Sequence, residues 1–170
     1  MKLPKSLHEA LLDQIKNEFQ AHYNYLGMSA HFEQTAYDGF AKWMALQSAE
    51  EYTHAMKIYA YLRDRNMPIA LEAISAPKCA YGERPLDVFK TSLKQEQGVT
   101  KCINDLYELA LKEKDYATLE FLAWFLKEQV EEENTVSDII DRLELAGDDA
   151  GALLRLDAEA ARRAEAGHGS

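Results

Sequence analysis

Proline and cysteine are scarce in this 170-residue chain, with four prolines and two cysteines. Three of the prolines, Pro68, Pro77 and Pro85, fall in one short stretch, so residues 5–67 and 86–170 contain none and are open to long helices. Cys79 and Cys102 lack CxxC spacing, which argues against a thiol metal knot or a dithiol redox motif. With no secretory leader recognised, both are expected as free, packing thiols in a reducing, cytoplasmic setting. Basic residues are few, 19 Lys and Arg against 29 Asp and Glu, for a net charge of −10. That balance excludes the clustered positive charge that a nucleic-acid or anionic-membrane partner needs, and favours cations as guests. No apolar run approaches the ~20 residues of a membrane span. Strand alternation and internal repeats are also missing.

What is present is helical periodicity. A chain of this length forms one domain, expected over residues 1–170, and buries enough surface to fold without a metal or disulfide staple. Any metal site would therefore serve function. Ser6 and Glu9 in "KSLHEALL" have capping-box spacing, and the apolar pattern predicts a first helix over about 7–34. A second runs over about 39–65, ahead of Pro68. The segment "MPIALEAISAPKCAYGERP" has no sustained period and predicts a crossover along the molecule. Pro85 suits the first turn of a third helix, which ends near Lys114; a fourth runs from Tyr116 to a stop at Gly147. A short fifth helix is expected over about 148–165, then a disordered tail over 166–170. The fold class expected is all-α: a four-helix bundle over about 7–145 with one long crossover and a short fifth C-terminal helix.

Stepping by three and four residues along each helix gives its inward seam. The first seam reads Leu7, Leu11, Gln14, Glu18, His22, Tyr25, Ser29, Phe32. The second reads Phe40, Met44, Gln47, Glu51, His54, Ile58, Tyr61. The third carries Leu86, Phe89, Leu93, Glu96, Thr100, Ile103, then Leu106 or Tyr107, and Ala110. The fourth carries Leu122, Phe125, Gln129, Glu132, Val136, Ile139 and Leu143. Each seam thus has one acid near mid-length with apolar neighbours on both sides. A lone carboxylate in a dry core costs several kcal/mol, and four at one level repel one another. No Lys or Arg occupies the middle of any seam, so a cation from outside is expected. Carboxylates plus one imidazole, with Glu51 and His54 three residues apart in "LQSAEEYTHAM", suit divalent iron, manganese or zinc. For any single position the bland alternative, a rotated helix with a solvated Glu, is the stronger; the coincidence of four carries the metal reading.

Having these residues in place, the chain resembles the bacterial non-haem ferritins over essentially its whole length, through "EFQAHYNY", "EEYTHAM", "KQEQ" and "WFLKEQVEEE" in order. The resemblance implies a ferritin-like diiron centre. One iron would be held by Glu18, Glu51 and His54, the other by Glu51, Glu96 and Glu132, with Gln129 beside the first iron or its water. It also implies a third iron position formed by Glu50, Glu128, Glu131 and Glu132; spacing alone reads the first three as solvated helix charges. Tyr25 matches the tyrosine that the family places beside the centre, with hydrogen bonding and electron donation as its implied roles, against a plain packing role. Trp124 matches a nearby aromatic and is expected as core packing. His22, one turn after Glu18, is expected in packing or in support of a ligand. His8, His31 and His168 are given no role.

The implied activity is iron storage with ferroxidase chemistry: Fe(II) oxidised to Fe(III) by O2 or H2O2 and kept as ferric oxyhydroxide inside a self-assembled shell of 24 subunits. Neither nucleic acid nor membrane is expected as a partner. Two departures matter. Gln129 and Glu132 stand where relatives such as rubrerythrin carry a second Glu-x-x-His, and Tyr52 stands where bacterioferritin has its haem-binding methionine, so no haem is expected. Asp115 and Glu120 are the only acids early in the fourth helix that offer themselves to an iron path, and they form no obvious acidic ring. Two other readings stay open, a non-storage diiron oxidase or peroxide reductase on the same bundle and a metal-free helical interaction protein.

Overall fold

The computed structural model describes residues 3–78 and 80–167, except the side chains at 165 and 167. Five helices follow one another: α1 (Lys5–Phe32), α2 (Asp38–Asp64), α3 (Pro85–Lys112), α4 (Tyr116–Ala146) and α5 (Ala150–Gly167). The turns at 33–37 and 113–115 make α1/α2 and α3/α4 antiparallel pairs, which pack into a four-helix bundle with α5 against α2. Among the described residues no helix is long and apolar enough to cross a membrane. The expected α-only bundle with a crossover and fifth helix is what forms. Cys79, His168 and the last three residues of the expected tail lie outside the described residues.

The crossover lies along α1 in sequence order. His8 Nε2 donates to the Pro68 carbonyl at 2.8 Å, Lys16 pairs with Glu72 at 2.6 Å, and Gln20 exchanges hydrogen bonds with the Ser75 backbone at 3.0 and 2.7 Å. Further on, Tyr81 packs edge-on against His31 at 5.6 Å. An extended strand rises about twice as far per residue as a helix, so this short segment spans most of the length of α1.

Helix ends show where local rules held and where they gave way. Pro85 opens α3, and Gly147 closes α4 with φ 55°, in the left-handed region that favours glycine. The Ser6/Glu9 capping box does not form. α1 begins at Lys5 behind Pro4, which places Ser6 inside the helix, and its hydroxyl donates instead to Glu113 across the bundle at 2.8 Å. Glu9 turns to Lys5 at 3.6 Å. Asp149 caps α5 by accepting the Ala152 amide at 2.6 Å, and the helix runs to Gly167, two residues past the point where a disordered tail was expected. Its run of alanines favours helix to the end. At the opposite end, Asp115 caps α4 through the Thr118 amide at 3.0 Å and receives Arg65 on both oxygens, at 3.0 and 2.7 Å. Arg65 holds its carboxyl down at about 2. Asp115 is thereby buried and committed, and is not free to line an iron path.

Two hydrophobic clusters fill the bundle, and a polar layer separates them. Phe32, Phe40, Trp43, Met44, Phe89 and Val136 belong to one; Leu7, Leu11, Ile58, Ile103, Leu122 and Phe125 to the other. Every α1–α4 helix passes from one to the other through Glu18, Glu51, Glu96 or Glu132, all buried.

α5 is fixed by a contact that no seam pattern reveals. Asp157 accepts the amides of Gly39 at 3.1 Å and Phe40 at 2.7 Å, capping the exposed donors at the start of α2 from another helix. The approach requires glycine, since a Cβ at position 39 would lie 1.9 Å from the Asp157 carbonyl oxygen. Gly39→Ala should therefore lift α5, costing about 1–3 kcal/mol for overpacking and a lost cap. Hydrogen exchange should show lost amide protection across 150–167 with the four-helix bundle retained. Unchanged protection in α5 would show the contact to be dispensable.

Candidate metal centre

The layer between the two clusters is built one side chain per turn. On α1, Glu18 accepts Gln14 Nε2 through Oε1 at 2.8 Å, and its Oε2 is buried with no partner. On α2, Glu51 has both oxygens buried without a hydrogen bond, and His54, one turn on, leaves Nδ1 equally unpartnered. That nitrogen lies 3.5 Å from Glu51 Oε2. On α3, Glu96 receives the Tyr25 hydroxyl on Oε1, and the Tyr25 oxygen also meets Ser92 Oγ at 2.8 Å. On α4, Gln129 Nε2 donates to Glu96 Oε2 at 3.3 Å, and Gln47 Nε2 of α2 donates to Glu132 Oε2 at 2.9 Å. The amides thus occupy one oxygen of an acid and orient it.

Among the described residues no lysine or arginine pairs with Glu18, Glu51, Glu96 or Glu132. The electrostatic consequence follows. Burial, reinforced by Glu51, pushes the Glu18 carboxyl well up; burial and Glu96 do the same to Glu51. Burial also raises Glu96, against the opposing hydrogen bonds from Tyr25 and Gln129. Burial, then Glu96, Glu50 and Glu128, takes Glu132 up to about 8. Tyr25, wholly buried beside Glu96, is held well above its ordinary value and keeps its proton. The common direction favours the protonated, uncharged form of each acid over a buried bare carboxylate. A multivalent cation would displace those protons and satisfy the orphaned oxygens and nitrogen together.

Among the described residues, two sets of ligand atoms come within 4.8 Å of one another: Glu18, Glu51 and His54, and His54, Glu128 and Glu132. The first is the expected set for one iron. The second unites His54 with α4 and was not anticipated; Glu128 lies one turn before Glu132, but spacing marks it only as a helix-surface charge. Glu51, Glu96 and Glu132 do not form such a triple, because Glu96 is turned toward Tyr25 and Gln129, although it is a leading charged neighbour of both other acids. Glu50, Glu128, Glu131 and Glu132 line one open cleft of about 200 Å³, together with Arg163 of α5. Arg163 donates to Thr135 at 3.2 Å.

The remaining candidates separate cleanly. His22 stands outside both sets, its Nδ1 donating to the Ser48 carbonyl at 2.7 Å and tying α1 to α2. Trp124, expected in the core, is 36 % exposed. It lies edge-on over His54 at 5.4 Å, and Lys57 sits 3.9 Å above its ring. Lying over the buried His54 from the flank of the bundle, rather than filling the seam, explains the difference. Tyr52 packs against Phe19 and His22. Ser92, which the seam count passed over, is found only through its bond to Tyr25.

Comparison with known proteins places this geometry among relatives. The Ferritin-like domain matches residues 8–146. Proteins named bacterial non-heme ferritin from Staphylococcus haemolyticus (strain JCSC1435) and Staphylococcus aureus (strain USA300) are each 44% identical over 161 residues, 95% of this chain and 96% of theirs. Among solved structures, an open pore ferritin from the hyperthermophilic archaeon Archaeoglobus fulgidus superposes with a TM-score of 0.91 at 40% identity, covering 94% of this chain and 96% of that one. A humanized archaeal ferritin gives 0.92 at 41% identity, with 94% and 96% covered.

The raised carboxyls set a sign for pH dependence. Glu132 has a folded value near 8 against an ordinary 4.5, so its contribution to stability is present below about 4.5 and is lost as pH rises through 8. Thermal unfolding of metal-depleted protein should give a lower Tm at pH 8.5 than at pH 6, and Zn2+ should raise the Tm more at pH 8.5. A Tm that rises with pH would mean that the acids are solvated.

Proposed function

The chain belongs to the ferritin family, and from that premise we propose that its buried Glu/His layer is a ferroxidase centre serving iron storage. The observation that carries this reading is the set of unpartnered, buried oxygens of Glu18 and Glu51 facing the unpartnered Nδ1 of His54. Iron is the substrate. Glu18, Glu51 and His54 hold one Fe(II), and Glu51, Glu96 and Glu132 hold the second, with Glu51 shared and Gln129 beside the centre. Each Fe(II) supplies one electron, so a pair, with two protons, meets the two-electron reduction of O2 to the peroxide level.

The chain's own residues prepare this step. Gln14 and Gln47 fix one oxygen of Glu18 and of Glu132 and leave the other to the ion. Tyr25 holds Glu96 by a charge-assisted hydrogen bond and puts an oxidisable phenol beside the pair. Protons on the raised carboxyls leave as Fe(II) binds. Glu50, Glu128, Glu131 and Glu132 form a third position in the open cleft, which leads product out of the bundle. An oxygen-rich, single-imidazole centre binds borderline ions without trapping them, as turnover with release requires.

Storage also needs an enclosed volume. Residues 1–170 act as one ferritin-like unit, assembling in the cytoplasm into a shell of 24 subunits whose net charge of −10 per chain suits ferric mineral growth. A metal-free interaction protein would have paired its inward acids or turned them to water, and here they are buried with no lysine or arginine partner among the described residues, one oxygen of Glu18 and both of Glu51 lacking any hydrogen bond. A diiron oxygenase or peroxide reductase would carry a second Glu-x-x-His on α4, where this chain has Gln129 and Glu132.

Aerobic Fe(II) addition to iron-free protein should give rapid oxidation with many irons kept per chain. Glu51→Ala should slow the initial rate by about a hundredfold while assembly and thermal stability hold, because an orphaned buried charge has been removed. Wild-type kinetics in that variant would falsify the ligand assignment. Tyr25→Phe should keep Fe(II) binding and lower the turnover rate; lost binding would make Tyr25 a ligand.

A further inference from the structure

We propose that His54 is a shared ligand for two mutually exclusive cation positions, the second formed with Glu128 and Glu132 of α4. The proposal rests on the reading above that the buried layer binds Fe(II). It adds a position that contains the imidazole and is distinct from the all-carboxylate cleft.

The geometry points both ways from one ring. A ligand nitrogen of His54 lies within 4.8 Å of the Glu18 and Glu51 oxygens, and another set within the same distance joins His54 to Glu128 and Glu132. His54 is 4 % exposed, and its Nδ1 has no hydrogen bond. The ring is held in place by Trp124, edge-on at 5.4 Å, and by Phe125 at 6.1 Å. It therefore needs no large rotation to serve either side. Ligand atoms bound to one ion at ~2.1 Å lie ~3–4 Å apart, so small side-chain shifts close either set.

Proton bookkeeping makes the two positions exclusive. A neutral imidazole offers one lone pair, and its other nitrogen carries the proton. An ion bound with Glu18 and Glu51 takes that lone pair, leaving Glu128 and Glu132 without their nitrogen. An ion bound with Glu128 and Glu132 takes it from the interior. The two carboxylates span the boundary of the bundle, since Glu132 is buried with Gln47 on one oxygen and Glu128 is half-buried in the wall of the open cleft. His54 thus passes a single ion from the dry layer to the cleft and cannot hold the next until the first has moved on. The nitrogen also sets the class of ion: Fe2+, Co2+ and Zn2+ accept a mixed N/O set, whereas Mg2+ and Ca2+ do not favour it.

Zn2+, which is redox-silent, tests this by occupancy rather than turnover. Crystals of the assembled protein are soaked at rising Zn2+ and measured at the zinc edge. Zinc density should appear between Glu18, Glu51 and His54, and about 2.1 Å from a His54 nitrogen against Glu128 and Glu132, in a ratio that stays constant as Zn2+ rises and with the two occupancies summing to about one at saturation. Glu128→Gln should abolish the second position and leave the first full, its occupancy taking up the share that the second had held. The double variant Glu50→Gln/Glu131→Gln, which strips the all-carboxylate cleft, should keep the second position. Full occupancy of both positions at once, or zinc on Glu128 and Glu132 with no bond to His54, would overturn the shared-ligand proposal and leave the ferroxidase reading standing. Zinc missing from Glu18, Glu51 and His54 would overturn that reading as well.

Discussion

Four acids turned inward with no lysine or arginine partner among the described residues are the constraint on which everything else in this molecule depends. Glu18, Glu51, Glu96 and Glu132 come from four separate helices and meet in a layer that two apolar clusters seal from above and below. Salt bridges elsewhere in the chain show that it does pair buried charge when the purpose is structural: Asp115 takes Arg65 on both oxygens and titrates near 2. In the central layer the opposite choice is made, and the carboxyls titrate upward instead. The contrast within one bundle separates a charge used to hold helices from a charge kept available for a guest.

Availability still requires order. Gln14 engages one oxygen of Glu18 and Gln47 one oxygen of Glu132, whereas Glu96 is held on both, by Tyr25 and by Gln129. Glu51, the acid without such support, is the one flanked by His54. Restraint at the periphery and freedom at Glu51 fit a centre that must accept an ion and then let it go.

Much of this was legible in the sequence because a bundle helix repeats its inward face with a fixed period, and an acid inside an apolar seam breaks the pattern visibly. The helix boundaries, the crossover and the placement of Glu18, Glu51, His54, Glu96, Gln129 and Glu132 all follow from that periodicity together with the family resemblance. Three features did not follow. Asp157 capping α2 joins residues more than a hundred positions apart, and a period carries no information about which surfaces meet. Ser6 had capping spacing, but Pro4 started the helix earlier and took the role away. The third is the approach of His54 to Glu128 and Trp124: the resemblance names Glu128 for the third position, but whether a residue on the flank of α4 is solvated depends on what the neighbouring helix presents, and here it presents His54.

The bond from Asp157 to the first amides of α2 makes the terminal helix a clasp rather than an appendage. Arg163, the cation that the described residues place in the wall of the acidic cleft, is carried on that same helix. Anything that springs the clasp at position 39 therefore also withdraws a positive charge from that cleft some 120 residues away in the chain, so a neutral-looking change of one hydrogen atom for a methyl group reaches the electrostatics around the buried acids without touching one of them.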